Sequence, residues 1–336
     1  MDNKEVAKAI AYLRKAKKYT QRDLADKLGI SDKAVSKWER GLGIPDVSLL
    51  ARLSILLDTD IESLLEGNVS HHKQNWAGLL WLDDPDETNP NRLEVYAGTM
   101  IYDKPIVYYM LSYFMLVGIK KILIVCSARS RKYIEDTIDK GDSWGIDIAC
   151  ADRTVLSMKQ INDIIIDFAQ DKKMAIVYGY HLLYGIDLTK FMQRAMSNDS
   201  GASILALPYK TNHLSHRLFY DTSRQVLDGN IRNEEAYERY YSIPFVFCSS
   251  GILKCNIMDE KMSFEGVCNY FMQQSALFIE LIGRGMFSME IDDSESLLMA
   301  SEFVNIIQRT QGISIADLKE IAARRGLIDI NNINGG

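Results

Sequence analysis

The chain has 336 residues, with 39 Lys and Arg against 45 Asp and Glu, 47% hydrophobic residues and 10% aromatics. This balance excludes a disordered or fibrous protein, and at roughly 100–200 residues per domain the length predicts two domains, each able to bury a core. A net charge of −6 argues against nucleic-acid binding over the whole surface, although it leaves local basic faces open.

The longest apolar stretch, residues 106–119, contains three tyrosines and falls short of the ~18–20 residues a bilayer crossing needs, so no membrane span is expected. The start, Met-Asp-Asn-Lys-Glu, has no apolar signal core behind it. Five cysteines (126, 150, 248, 255 and 268) show no Cys-x-x-Cys spacing. Together these features predict reduced thiols in a cytoplasmic protein.

Charge is unevenly spread. Residues 1–40 hold eleven Lys and Arg and six Asp and Glu, a local +5, whereas residues 41–66 hold one Arg and five acids, a local −4. Residues 67–336 carry 27 basic and 34 acidic side chains, a local −7. The positive charge therefore collects in one short helical stretch.

Apolar residues recur at helical spacing through Val6, Ile10 and Leu13. Thr20 offers an N-cap for a second helix reaching Leu28, and Gly29 supplies a tight turn. Ser31 caps a third helix over residues 32–40, with Ala34, Val35 and Trp38 inward and Lys33, Ser36, Lys37 and Arg40 outward. Trp38 shares a face with Val35 and is assigned to the core. Two leucine-rich helices, around Val47–Leu57 and residues 60–65, complete a five-helix bundle over residues 1–67. The polar residues 68–75 read as a linker. Its His71 and His72 point apart on an extended chain and have no carboxylate or thiolate cluster beside them, so they are read as solvated.

Beyond the linker, apolar runs at residues 76–82, 121–127, 146–151, 174–179 and 203–209 alternate with helical patterns. Such alternation predicts a mainly parallel sheet flanked by helices, a three-layer α/β/α domain over residues 76–336. Asp228-Gly229 signals a hairpin, and two helices near residues 294–311 and 314–325 close the chain.

A helix, a short glycine turn and a second helix with a basic outer face is the arrangement that places a reader helix in the DNA major groove. The run "TQRDLADKLGISDKAVSKWERGLGIPDVSLLARLSILLDTDIESLL" resembles the Cro/repressor-type (XRE) helix-turn-helix family over nearly all of residues 6–66. Its specificity lies in the joint spacing of Thr20-Gln21, Leu24-Ala25, Gly29, Val35-Ser36, Trp38-Glu39 and Pro45. The resemblance implies that Gln21 bonds a phosphate, that Asp32, Lys33, Ser36 and Lys37 face base edges, and that Arg40 meets the backbone. Arg22 and Ser31 complete the expected DNA-binding set. Lysine can donate to guanine O6 and N7, and serine can serve either base type, which suits direct readout.

Several later segments are similar to the sugar-1-phosphate nucleotidyltransferases, especially the glucose-1-phosphate thymidylyltransferases, over roughly residues 76–330. They include "IYDKPIVYYMLSYFMLVGIKKILIV", "GDSWGIDI", "YGIDLTKFMQRAMSNDSGASILA", "SLLMASEFV" and "EIAARRGLID". The resemblance implies attack of a sugar phosphate on the α-phosphate of a nucleoside triphosphate. That reaction calls for backbone N–H groups near the phosphates, cations, and Mg²⁺ held by carboxylates.

The site positions depart from this pattern. The family's glycine-rich, arginine-containing loop is replaced by Leu82-Asp83-Asp84-Pro85-Asp86-Glu87, whose four acids repel phosphate. Arg92 corresponds to the loop arginine, but the family's catalytic lysine falls near Tyr96. The first metal aspartate corresponds to Tyr180, a neutral and poor Mg²⁺ ligand, and the second to Glu290 or Asp292. On the sugar side, Asn233-Glu234, Phe245 and Ser263-Phe264 replace the family's residues. Gln160 matches a base-pocket glutamine, and Lys104 and Gly179 are retained. Candidate ligand-binding positions are thus Arg92, Lys104, Gln160, Gly179, Tyr180 and Glu290, with no catalytic residue, no metal and no cofactor expected.

The expected function is a DNA-binding transcriptional regulator with an inactive nucleotidyltransferase-like domain used for oligomerisation and for sensing a nucleotide or sugar nucleotide. Its expected partners are double-stranded DNA carrying an inverted repeat, one such effector, and further copies of the chain in a homodimer or homotetramer. Two alternatives remain: an active sugar-phosphate nucleotidyltransferase that autoregulates through its DNA-binding domain, and an assembly platform without a ligand.

Overall fold

The structure, a computed structural model, describes residues 3–57, 59, 61–66, 76–82, 95–198, 201–207, 217–220, 226–227, 239–249, 263–283 and 285–328. The expected linker 68–75, the acidic loop at 83–87, Arg92, the Asp228-Gly229 signal and Asn233-Glu234 lie outside the described residues. The chain divides into two compact units, Met1–His71 with Ala322–Gly336, and His72–Ile321.

In the first unit, five helices follow one another: α1 (Asn3–Ala16), α2 (Gln21–Leu28), α3 (Asp32–Glu39), α4 (Val47–Leu57) and α5 (Ile61–Glu66). Their apolar stripes close on Val6, Ile10, Leu24, Val35, Trp38, Leu53, Leu57 and Leu64, a single core that holds Trp38 as its spacing predicts. The helix boundaries follow from local hydrogen bonding. Thr20 accepts from the backbone N–H of Asp23, and Asp23 reaches back to the N–H of Thr20 at 2.7 Å, a reciprocal cap that starts α2. Gly29 ends it in the left-handed region at φ +71°, with its N–H turned back to Ala25 and Asp26. Ser31 then accepts from the N–H of Ala34 and starts α3 two residues later.

The second unit is built on a sheet. Its elements run β1 (Trp76–Trp81), β2 (Met100–Ile101), β3 (Lys104–Pro105), α6 (Ile106–Leu116), β4 (Lys121–Cys126), α7 (Ala128–Thr137), β5 (Asp147–Asp152), α8 (Met158–Ala169) and β6 (Lys173–Tyr178). They continue with β7 (His181–Tyr184), α9 (Leu188–Met196), β8 (Ala202–Leu207), β9 (Arg217–Tyr220), β10 (Val226–Leu227) and β11 (Arg239–Cys248). After these come α10 (Phe264–Gln273), β12 (Leu277–Leu281), β13 (Phe287–Glu290) and α11 (Ser294–Gln311); the last helix, α12 (Leu318–Arg324), contains the division between the two units after Ile321.

Strands β5, β4, β1 and β6 lie side by side and parallel. Every residue of β1 is buried, as expected of a parallel strand covered on both faces. Beyond β6 the direction reverses. β11 pairs antiparallel with β6 and with β8, and β12 adds parallel to β8. The expected mainly parallel sheet is present, with this antiparallel strand inserted into it. One face packs α8 and α10 through Ile161, Ile165, Phe168, Phe264, Val267 and Phe271. Two short ribbons stand apart from the sheet, β2 with β3 and β7 with β13. The last helix is shorter than its sequence pattern because Ala316 adopts φ +53° and Asp317 accepts from the N–H of Glu320, so helical geometry begins at Leu318.

Candidate functional sites

On α3, residues 32, 33, 36, 37 and 40 fall on one face, and Asp32, Lys33, Lys37 and Arg40 are exposed while Ser36 is half-buried. The opposite face holds Val35 and Trp38 in the core, so the helix is anchored by its apolar side and offers its basic side to solvent. Arg40 folds back, its Nε donating to the carbonyl of Ser36 at 3.3 Å. Arg22 and Ser31 are exposed at the starts of α2 and α3. This face of α3 presents four charged side chains to solvent, with the half-buried Ser36 among them.

Gln21 is half-buried, and its Nε2 donates to Oε2 of Glu39 at 2.7 Å. The same carboxylate receives Arg14 through Nε at 2.5 Å and Nη2 at 3.1 Å, while Arg14 Nη1 donates to the carbonyl of Tyr19 at 2.6 Å. Burial works against the Glu39 charge, yet the Arg14 and Gln21 hydrogen bonds outweigh it and hold the carboxyl below its usual range. Arg14 and Glu39 stand outside the expected DNA-binding set but hold one of its members, Gln21. Their signal was present: Arg14 continues the Val6–Ile10 stripe at four-residue spacing, and a charge on an inward stripe calls for a buried partner.

In the α/β unit, the carboxyl ends of β1, β4, β5 and β6 form the edge at which open α/β sheets bind ligands. Gly179 follows β6 at φ +69°, its N–H bonded to the carbonyl of Trp81 at 2.8 Å. A Cβ built on Gly179 would lie 3.9 Å from Oε1 of Glu290, so these two candidate positions are brought together. Tyr180 follows directly and is buried, its hydroxyl sharing a 3.3 Å hydrogen bond with Ser130 Oγ. Ser130 in turn accepts from the N–H of Ala97 at 3.0 Å, which ties the segment before β2 to the start of α7. The Tyr180 hydroxyl is thus held by α7 just beyond the carboxyl end of β6. Among the described residues no group of three or more His, Cys, Asp and Glu side chains is arranged to hold a metal ion.

The other positions at which the sequence departs from the resembled family take part in local packing. Tyr96, near the expected catalytic lysine, lies under the Arg129 guanidinium at 4.1 Å and edge-on to Tyr133 at 5.8 Å. Phe245 is fully buried against Tyr113 and His181, with ring centroids 5.0 and 6.1 Å away. Ser263 caps α10 and Phe264 packs on Tyr178. His181 itself is buried, with Nε2 and Ser288 Oγ 2.7 Å apart.

Two candidate ligand positions stand in local roles. Gln160 is exposed at the start of α8, where its carboxamide oxygen accepts from Ser157 N and Oγ, both at 2.9 Å. Lys104 Nζ contacts Asp103 at 2.6 Å and Gln308 of α11 at 3.4 Å. Neither contact joins the Gly179–Glu290 pair. No helix among the described residues is long and apolar enough to cross a membrane.

Comparison with known proteins agrees with this division. Residues 10–64 match the family described as helix-turn-helix, and residues 99–215 match the nucleotidyl transferase family. A glucose-1-phosphate thymidylyltransferase of Xanthomonas campestris is 26% identical over 240 residues, 69% of this chain and 81% of its own. One of Neisseria meningitidis is 24% identical over 233 residues, 67% of this chain and 81% of its own. A Bacillus anthracis structure, assigned as a glucose-1-phosphate thymidylyltransferase in complex with a sucrose, superposes with a TM-score of 0.54 at 13% identity, covering 68% of this chain and 94% of that one. The chain therefore joins a helix-turn-helix domain of Cro/repressor type to a larger nucleotidyltransferase-like α/β domain.

Proposed function

We propose that this protein is a sequence-specific DNA-binding transcriptional regulator whose nucleotidyltransferase-like domain is catalytically inactive and serves oligomerisation and the sensing of a nucleotide or sugar nucleotide. The observation that carries the reading is Tyr180, a buried phenol bonded to Ser130 at the carboxyl end of β6, paired with an exposed basic reader face on α3. Removing one preorganised stabilising group typically costs ~10²–10³ in rate. Here a metal carboxylate, a lysine and a glycine cradle are replaced together, by Tyr180, Tyr96 and the acidic run after Leu82. The protein acts in the cytoplasm, and its dimers or tetramers present paired reader helices to an inverted repeat with half-sites ~34 Å apart. An effector regulates DNA binding through different affinities for two states of the protein.

Pyrophosphate release from sugar phosphates and the common nucleoside triphosphates tests the inactive half of this reading, with no turnover expected. The alternative, an active sugar-phosphate nucleotidyltransferase that autoregulates, is favoured by the name its relatives carry and by Glu290 standing beside Gly179. Robust turnover abolished by Glu290→Ala establishes that alternative. A thermal-shift screen of nucleotides and nucleotide sugars tests the sensing half, since a ligand at 100 times its Kd stabilises by ~2.7 kcal/mol. A screen with no shift leaves the domain as an assembly platform alone.

A further inference from the structure

Cys126 is the last residue of β4, and Cys150 lies on the neighbouring β5, opposite Ile124. Because Cys126 stands two residues beyond Ile124, both side chains leave the same face of the sheet, and the Cys126 thiol donates a hydrogen bond to Cys150. We propose that this pair is an oxidation site, at which Cys150 reduces a hydroperoxide and Cys126 closes the product into a disulfide between β5 and β4. The two sulfurs differ in access. Cys126 is fully buried and Cys150 only partly, so a small oxidant from solution meets Cys150 first. The other described cysteines stand elsewhere: Cys248 and Cys268 lie in the core on the opposite face, with Val125 and Ala151, where burial raises both thiols.

The surroundings favour the thiolate, which is the attacking form. The Cys126 hydrogen bond and the Arg131 charge lower the Cys150 thiol against partial burial and Glu135. Arg131 and Glu135, one turn apart on α7, are themselves paired at 2.8 Å. The Cys150 thiolate attacks one oxygen of the hydroperoxide and the O–O bond breaks. Its electron pair leaves on the other oxygen, which takes up a proton as water or an alcohol, and Cys150 becomes a sulfenic acid. Cys126 then loses its proton and attacks the sulfenic sulfur. The S–O bond breaks, and hydroxide leaves with that proton as water. In sum the two thiols give up two electrons, and one hydroperoxide is reduced. The bridge forms where β4 meets α7: Ser127, the next residue, caps α7, and Ser130 of α7 holds the Tyr180 hydroxyl. Oxidation therefore acts at the carboxyl edge of the sheet, beside the candidate ligand positions.

Peroxide treatment of the full chain, first reduced and freed of reductant, tests the site. Peptide mass spectrometry without reduction is expected to recover a Cys126–Cys150 cross-linked peptide, with two thiols lost per hydrogen peroxide consumed and both regained on adding dithiothreitol. Cys126→Ser keeps a hydroxyl donor beside Cys150 but removes the second sulfur. This variant is expected to stop at the sulfenic acid, which dimedone labels at Cys150. Cys150→Ser is expected to slow peroxide consumption at least about ten-fold. A wild-type chain that keeps both residues as thiols after treatment overturns the proposal, and so does a bridge from Cys150 to Cys248, Cys255, Cys268 or another chain. Sulfinic acid accumulating on wild-type Cys150 without any bridge overturns the part given to Cys126.

Discussion

Gln21 and Glu39 are joined by a 2.7 Å hydrogen bond, so the side chain expected on a DNA phosphate is already oriented by a carboxylate that Arg14 neutralises. The buried pair therefore ties α1 and α3 to the side chain that opens α2.

Removing Glu39 leaves the Arg14 guanidinium buried without its partner, and Glu39→Ala is expected to destabilise the helix-turn-helix unit by about 3 kcal/mol. Because the Glu39 carboxyl is held below its ordinary value in the folded state, its contribution is present above the unfolded carboxylate pKa of about 4.3 and fades as pH falls through the lower folded value. Urea melts of wild type and Glu39→Gln between pH 3 and 7 read this directly. The wild type should lose its advantage below about pH 4, and parallel curves would show that the pair contributes no pH-dependent stability.

Lys33 and Lys37 share the exposed face of α3 with Arg40, but their expected roles differ. Lys33→Ala and Lys37→Ala should each cost about 1–3 kcal/mol on the preferred sequence and relax the base preference at one position. Arg40→Ala should weaken all sequences alike and lower the salt slope by about one. Selection from a random DNA library followed by mobility shifts at several salt concentrations separates the two classes. Unchanged selection by the lysine variants would refute the assigned face.

Two glycines with positive φ make a controlled comparison. At Gly179 a Cβ meets only Glu290 Oε1, at 3.9 Å, so Gly179→Ala should cost the backbone strain alone, about 1–2 kcal/mol. At Gly201, φ +101°, a Cβ would strike the carbonyl oxygen of Ala276, and Gly201→Ala should cost several times as much. Chemical denaturation of both variants ranks them, and equal losses would contradict the account.

Cys150 and Cys126 lie on adjacent strands and on the same side of the sheet, since Cys150 pairs with Ile124, two residues before Cys126. A hydrogen bond from Cys126 lowers the Cys150 thiol pKa against its partial burial, whereas burial pushes Cys248 up to about 12 and raises Cys268 further. Among the described cysteines, all of them free thiols, Cys150 is therefore expected to alkylate first at neutral pH. Iodoacetamide labelling followed by peptide mass spectrometry gives the order, and Cys126→Ala should slow Cys150.

The first unit was legible because its signals are local. Thr20, Gly29 and Ser31 set helix boundaries through bonds spanning three or four residues, and the period of Val6, Ile10 and Leu13 sets the face. The parallel strands were legible for a similar reason, as continuous apolar runs. What escaped was non-local. Tyr180 and Ser130 are 50 residues apart, and nothing in either segment announces that they meet. β11 escaped because it lies after a long interval without periodicity, and its neighbours β6, β8 and β9 are chosen by tertiary pairing. The candidate positions divide along the same line: the exposed residues of α3 follow from helical spacing, while the ring contacts of Tyr96, Phe245 and Phe264 follow from tertiary packing.

The position of β11 has a consequence for how the protein is made. β6 and β8 leave the ribosome before their shared neighbour, so each waits with an open edge until residues 239–248 have been synthesised. An unpaired apolar edge of this kind invites pairing with another chain. A product truncated before Arg239 should therefore aggregate rather than accumulate as a smaller domain, and premature stops in this gene would remove the protein altogether instead of leaving a partial one.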